Sequence, residues 1–147
     1  MSQNVLVELS DALADAAEKA GKATVLVNAR RRMPASGIVY ASDLILTADH
    51  VVEREEGIKV ILSDGAEVSA RVAGRDSGSD LAVLKLERAA DTNMVAEATK
   101  STARLGQLAL ALGRPSPDGI EASLGTVSAI GGPSTNMGRG QRSEGAR

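Results

Sequence analysis

The sequence predicts a mostly β protein: a six-stranded antiparallel barrel behind an N-terminal helix, followed by two further strands. Three observations carry this. Short β-branched and aliphatic runs, separated by turn residues, recur from residue 23 to residue 86. No helical pattern interrupts them, which removes a βαβ architecture. Asp64-Gly65 stands between two of the runs as a tight-turn signal.

Residues 4–20 read as the helix. Leu6, Leu9, Leu13, Ala16 or Ala17, and Ala20 recur at three- and four-residue steps, while Asp11, Asp15, Glu18 and Lys19 lie elsewhere on the wheel. Gly21 is the expected C-terminal stop. Such a helix either packs on the domain or faces a partner. The expected strands are Ala23–Arg30, Gly37–Tyr40, Leu44–Thr47, Ile58–Ser63, Ala66–Ala73 and Leu81–Leu86. Lys59, Glu67, Ser69 and Arg71 alternate with apolar neighbours, as when one face of a sheet meets water. Strands of this length and spacing close most simply into a small barrel.

Beyond the barrel, residues 89–104 are polar and alanine-rich without a period and read as a linker. Two more strands follow, Leu105–Leu112 and Ala122–Ile130, with Gly113-Arg114-Pro115-Ser116-Pro117-Asp118-Gly119 as the turn region between them. Two strands are too few for an independent unit. From residue 132 the chain is a Gly- and Arg-containing tail without the apolar content to fold by itself. The expected organisation is therefore a helix at 1–22, a barrel at 23–88, a linker at 89–104, the start of a second barrel at 105–131 and a flexible tail at 132–147.

Composition narrows the chemistry. The 147 residues include no cysteine, so disulfides, thiolate catalysis and cysteine zinc sites are excluded, though the compartment stays open. His50 is the single histidine, which removes a multi-histidine metal site. One Tyr, with no Phe or Trp, gives no platform for stacking bases, and a net charge of −2 gives no field that would gather nucleic acid or an anionic membrane. The core must be built from Val, Leu, Ile and Ala. No apolar run approaches the roughly 18 residues of a membrane span, and Met1–Leu6 carries no basic region of a secretory signal.

Two residues stand out. His50 lies at the end of the apolar run Leu44-Ile45-Leu46-Thr47-Ala48, where a rigid sheet can aim it into a cleft. Asp80 stands just before the apolar run Leu81-Ala82-Val83-Leu84-Lys85-Leu86. Taken singly, a lone histidine is usually structural and an acid before a strand is usually a cap. Asp49 is adjacent to His50, so its side chain should point elsewhere on extended backbone. Asp43 and Asp76 read as turn residues. Arg30-Arg31-Arg32 reads as a solvated loop, with an acidic-peptide or nucleic-acid contact as the weaker alternative. Glu53-Arg54-Glu55-Glu56 is a mixed-charge turn, and Arg139, Arg142 and Arg147 decorate the tail.

In order along the chain, several segments together carry a resemblance. They are Ser36-Gly37-Ile38-Val39, Leu46-Thr47-Ala48-Asp49-His50-Val51-Val52, Leu62-Ser63-Asp64-Gly65, Asp80-Leu81-Ala82-Val83-Leu84-Lys85, Leu110-Ala111-Leu112-Gly113-Arg114-Pro115 and Gly125-Thr126-Val127-Ser128-Ala129-Ile130. Over about residues 23–131 the chain resembles the trypsin-like serine proteases, in particular their HtrA/Deg branch. The resemblance implies that the first barrel is the N-terminal barrel of that fold. It implies His50 as general base and then general acid, and Asp80 as the acid that orients it. It implies no metal or organic cofactor, an unfolded or extended polypeptide as substrate, and assembly of relatives as trimers.

The family's nucleophile segment, Gly-x-Ser-Gly-Gly-Pro, does not occur in this sequence. In Gly131-Gly132-Pro133-Ser134 the serine follows Gly-Gly-Pro instead of preceding it, and Ser77, Ser79 and Ser143 have no supporting context. The expectation is thus the N-terminal part of a serine endopeptidase, with no nucleophile identified and no triad-dependent activity alone. The alternative is a complete half-protease that serves as a protein-interaction module. In either case Leu105–Leu112 and Ala122–Ile130 should pair with another copy, a serine-bearing half, or the first barrel. The resemblance leaves the compartment between a bacterial-type cell envelope and the cytoplasm.

Overall fold

The computed structural model describes residues 4–132. One helix, α1 (Val5–Gly21), precedes eight strands: β1 (Thr24–Asn28), β2 (Ala35–Ala41), β3 (Leu44–Ala48), β4 (Ile58–Ile61), β5 (Glu67–Asp76), β6 (Leu81–Leu86), β7 (Leu108–Ser116) and β8 (Gly119–Thr126). The first six close into a barrel in the order β1-β2-β3-β6-β5-β4, and β7-β8 form a separate two-stranded sheet. All pairings are antiparallel, and β1 on β4, with Val27 opposite Val60, closes the ring.

The barrel interior is aliphatic throughout. Ile45, Ile58, Leu84, Val25, Val27, Val39 and Val60 are fully buried, whereas Tyr40 stays on the surface. Alternation follows the pleat: in β4 and β5 Val60, Val68 and Ala70 point in and Lys59, Glu67 and Arg71 point out. β1 departs from alternation. Its first four residues are all buried, because β7 covers its outer face while its inner face lines the barrel. The β4–β5 connection turns at Gly65, whose φ of +89° is the left-handed region glycine enters without a Cβ clash, and Asp64 Oδ1 accepts the Ala66 N–H at 2.9 Å.

Several expectations shift. β7 runs through Gly113, Arg114 and Pro115 to Ser116, so the turn region of residues 113–119 shrinks to Pro117-Asp118. The pairing with β8 is irregular between Gly113 and Ser116, and there the Arg114 side chain is drawn into the body of the protein, not out to solvent. Gly21 ends α1 without a left-handed cap. Its role is spatial, since a Cβ there would lie 2.7 Å from Ile120 Cδ1. Residues 89–104 contain no strand but are not free of the barrel: Ala90 is buried, the Ala96 N–H bonds the Val39 carbonyl at 2.7 Å, and Met94 and Val95 pack on the core.

α1 meets β1 and β7, and Gly21 at its C-terminus is its buried residue, while Val5, Leu6, Val7 and Leu9 are exposed. On β7–β8, Leu108 and Leu124 are exposed as well. Among the described residues no helix is long and apolar enough to cross a membrane.

Candidate active site

β3 and β6 are neighbours with Ala48 opposite Leu81, so the residues just past β3 and just before β6 share one rim of the barrel. His50 lies in a single 3₁₀ turn, Asp49–Val51, directly after β3. Asp80 is the last residue of the β5–β6 turn. The sheet thus brings side by side two residues 30 positions apart.

Their contact is bidentate. The Asp80 carboxylate accepts the His50 backbone N–H on Oδ1 at 2.9 Å and meets the ring Nδ1 on Oδ2 at 2.7 Å. The Asp80 carbonyl in turn accepts the Asp49 N–H at 3.0 Å. Charge-assisted bonds of this length are the strong class. The His50 N–H foremost, then its ring, hold the Asp80 carboxyl below the ordinary carboxylate range. Asp80 is the single non-glycine residue with positive φ among those described, at 57°. Aspartate tolerates this better than most residues, and the turn before it enforces it: Asp76 accepts the Gly78 N–H at 3.0 Å and the Ser79 hydroxyl at 2.8 Å. These bonds also hold the Asp76 carboxyl below its usual range, the Ser79 hydroxyl most of all.

With Nδ1 occupied, the remainder of the His50 ring faces out; its side chain is 68% exposed against 27% for Asp80. Beside it opens a groove of about 950 Å³. Ile38, Leu46, Ala48 and Leu81 form its barrel wall, and Leu110 and Leu112 of β7 form the facing wall. His50 and Asp80 do not themselves line this groove; Ala48 and Leu81, which do, are the strand ends that lead into the turns carrying them.

The other acids fall outside the pair. Asp49 turns away from the ring and binds Arg75, whose Nε lies 2.5 Å from its Oδ1. Asp43 at the β2–β3 turn pairs with Lys85, whose ammonium lowers its carboxyl. Arg30 donates to the Met33 carbonyl of its own loop at 2.6 Å. Ser77 and Ser79 lie in the turn before Asp80, and Ser79 is committed to Asp76; Ser134 and Ser143 lie outside the described residues. Among the described residues no three His, Cys, Asp or Glu side chains are grouped to hold a metal ion. Arg75 was not singled out by sequence: one arginine in a charged surface segment carries no signal until the sheet places it beside the turn of His50.

The description "trypsin-like peptidase domain" matches residues 35–146. Curated relatives include a probable periplasmic serine endoprotease DegP-like of Buchnera aphidicola, 35% identical over 104 residues, which are 69% of this chain and 22% of that protein. Another is the periplasmic pH-dependent serine endoprotease DegQ of Escherichia coli, 33% identical over 104 residues, 69% of this chain and 23% of that one. Among solved structures, the serine endoprotease from Yersinia pestis superposes with a TM-score of 0.71 at 32% identity, covering 80% of this chain and 44% of that one. The chain spans about a fifth of the length of the curated relatives it matches.

Proposed function

The chain belongs to the trypsin-like peptidases of the HtrA/Deg branch, and from that premise we propose that it supplies the base and its orienting acid to a serine endopeptidase acting on unfolded or extended polypeptide. The observation that carries this is the 2.7 Å contact from His50 Nδ1 to Asp80 Oδ2 beneath an exposed ring. With Nδ1–H donated to Asp80, the lone pair sits on Nε2, the tautomer a general base requires. Nε2 takes the proton of a serine hydroxyl as that oxygen attacks the peptide carbonyl, and gives it to the amine as the C–N bond breaks. Asp80 stays ionised and stabilises the imidazolium between the two transfers.

The serine is the part this sequence does not supply, since Gly-x-Ser-Gly-Gly-Pro is absent from its 147 residues. The amide donors around such a serine are absent with it, and each is worth about 10²–10³ in rate. The chain assayed alone is therefore expected to be inert.

A second reading, a half-protease used as an interaction module, draws on the exposed Val5, Leu6 and Leu9 of α1 and Leu108 and Leu124 of the second sheet. Apolar rows and sheet edges left open invite pairing with another copy or with a serine-bearing half.

One experiment addresses both. Casein cleavage and fluorophosphonate labelling are measured for the chain alone and for the chain joined to the serine-bearing second barrel of a relative, each with His50→Ala beside it. The enzyme reading expects no activity alone and His50-dependent activity in the joined protein. A joined, folded protein that His50→Ala leaves equally active overturns the role of His50, and His50-dependent cleavage by the chain alone overturns its inertness. Light scattering on the same samples reads the second: self-association that persists in the joined protein supports the module, and association absent there opposes it.

A further inference from the structure

Besides Asp80, one more side chain grips the turn that carries His50. Arg75, near the end of β5 and opposite Ala82 of β6, reaches across to residues 49 and 52. Its Nε donates to Asp49 Oδ1 at 2.5 Å, and its terminal Nη2 donates to the carbonyls of Asp49 at 3.2 Å and Val52 at 3.0 Å. Within the turn the Val52 N–H bonds the Asp49 carbonyl at 3.1 Å. A lone 3₁₀ turn is weakly self-supporting, and its last carbonyls have no partner within it. The guanidinium fork adds a second bond to the Asp49 carbonyl and supplies one to the Val52 carbonyl, bracketing His50.

The same contact disposes of a competitor. Asp49 puts a second carboxylate one residue from the imidazole. Arg75 engages it in an ion pair in which the Asp49 side chain is 14% exposed, so it is largely withdrawn from solvent. Asp80 is left as the acid that meets the ring.

We infer that Arg75 is a positioning residue for His50: by bonding Asp49 and Val52 it fixes the turn so that the ring presents Nδ1 to Asp80, and it holds Asp49 out of that competition. Its catalytic meaning rests on His50 being the general base; the positioning itself does not. The planar fork is essential, because a lysine can neutralise Asp49 but cannot match the three bonds in this geometry.

His50 is the only histidine in the sequence, so its ring nitrogens can be followed without ambiguity. The chain is labelled with ¹⁵N, and long-range ¹⁵N–¹H spectra are recorded at about pH 8.5, roughly two units above the ordinary imidazole value. Wild type is expected to show one tautomer, protonated on Nδ1. Arg75→Met and Arg75→Lys are expected to lose that signature to averaged nitrogen shifts while the methyl spectrum of the barrel core stays that of wild type. A merely structural arginine would lower stability and leave the ring of the folded protein unchanged. A wild-type ring pattern in folded Arg75→Met overturns the inference, as does one retained in Arg75→Lys, which decides alone if Arg75→Met fails to fold. A wild-type chain already divided between tautomers overturns it too. No substrate enters the measurement, so an inert chain leaves the inference standing, and its failure leaves the role of His50 as base to the cleavage assay.

Discussion

Arg114 on β7 donates from Nε to the carbonyl oxygen of Thr24 on β1 at 2.8 Å, and this bond joins the second sheet to the barrel across 90 positions of sequence. Its Nη2 donates to the Gly21 carbonyl at 3.2 Å, at the end of α1. Its backbone N–H bonds Ser36 Oγ at 2.8 Å. The guanidinium is buried, and its two acceptors are backbone carbonyls, one of them at a helix C-terminus where a cation is favoured.

Arg114→Met should therefore cost more than its lost contacts. The Gly21 and Thr24 carbonyls would be left short of a partner, at about 1–3 kcal/mol. Denaturant unfolding should show that loss, and hydrogen exchange should quicken in β7 before it does in β3 or β6. Arg114→Lys should recover only part of it, since an ammonium does not span both carbonyls in the plane of a fork. Equal exchange rates in β7 of wild type and Arg114→Met would show that something else docks the hairpin.

Gly37 and Gly74 make a paired test of packing in the barrel wall. A Cβ on Gly37 would lie 2.8 Å from Ile45 Cγ2 and 2.9 Å from Val27 Cγ2, two fully buried side chains that cannot move aside. Gly37→Ala should destabilise by about 1–3 kcal/mol, the usual range for overpacking. At Gly74 an added Cβ meets nothing within 4 Å, so Gly74→Ala should fall within about 0.5 kcal/mol of wild type. Thermal unfolding of the two variants side by side checks the contrast.

Acid should weaken the chain through Asp80. Its carboxyl is held low in the folded state, by the His50 N–H first and the ring second. A depressed folded value means that stability is fully present above the unfolded value of about 4 and is lost as pH falls through the lower folded value. Asp76 and Asp43, also held low, act in the same direction. Stability measured from pH 7 down to about pH 2 should decline below about pH 4, and Asp80→Asn should flatten part of that decline. An unchanged slope in the variant would mean that the pairing with His50 contributes nothing to folding.

The β-rich class, the aliphatic core and the succession of strands along the chain were legible in sequence because each rests on local alternation and on turn chemistry such as Asp64-Gly65. His50 and Asp80 were legible as candidates because each flanks an apolar run that a sheet makes rigid. Their 2.7 Å contact was not, since it depends on Ala48 meeting Leu81 across β3 and β6. The path of β7 through Gly113 and Pro115 ran against local turn propensity; there Arg114 is buried, and pairing with β8 resumes at Ser116 opposite Gly119.

The sequence alone determined the alphabet of the site: one histidine, a few acids, no cysteine, and no nucleophile segment. The family resemblance had already pointed to Asp80 as the acid for His50; tertiary structure supplied the contact itself and the partners that occupy the other acids. Four aspartates, Asp43, Asp49, Asp76 and Asp80, lie near the barrel rim or its turns, and their spacing in sequence does not give their distances to the ring. In the fold Lys85 takes Asp43, Arg75 takes Asp49, the turn's own Gly78 and Ser79 take Asp76, and Asp80 is left facing His50. Those partners lie on strands and turns whose separation only the closed sheet removes, and an electrostatic choice among acids is made by distance in space, which sequence order does not contain.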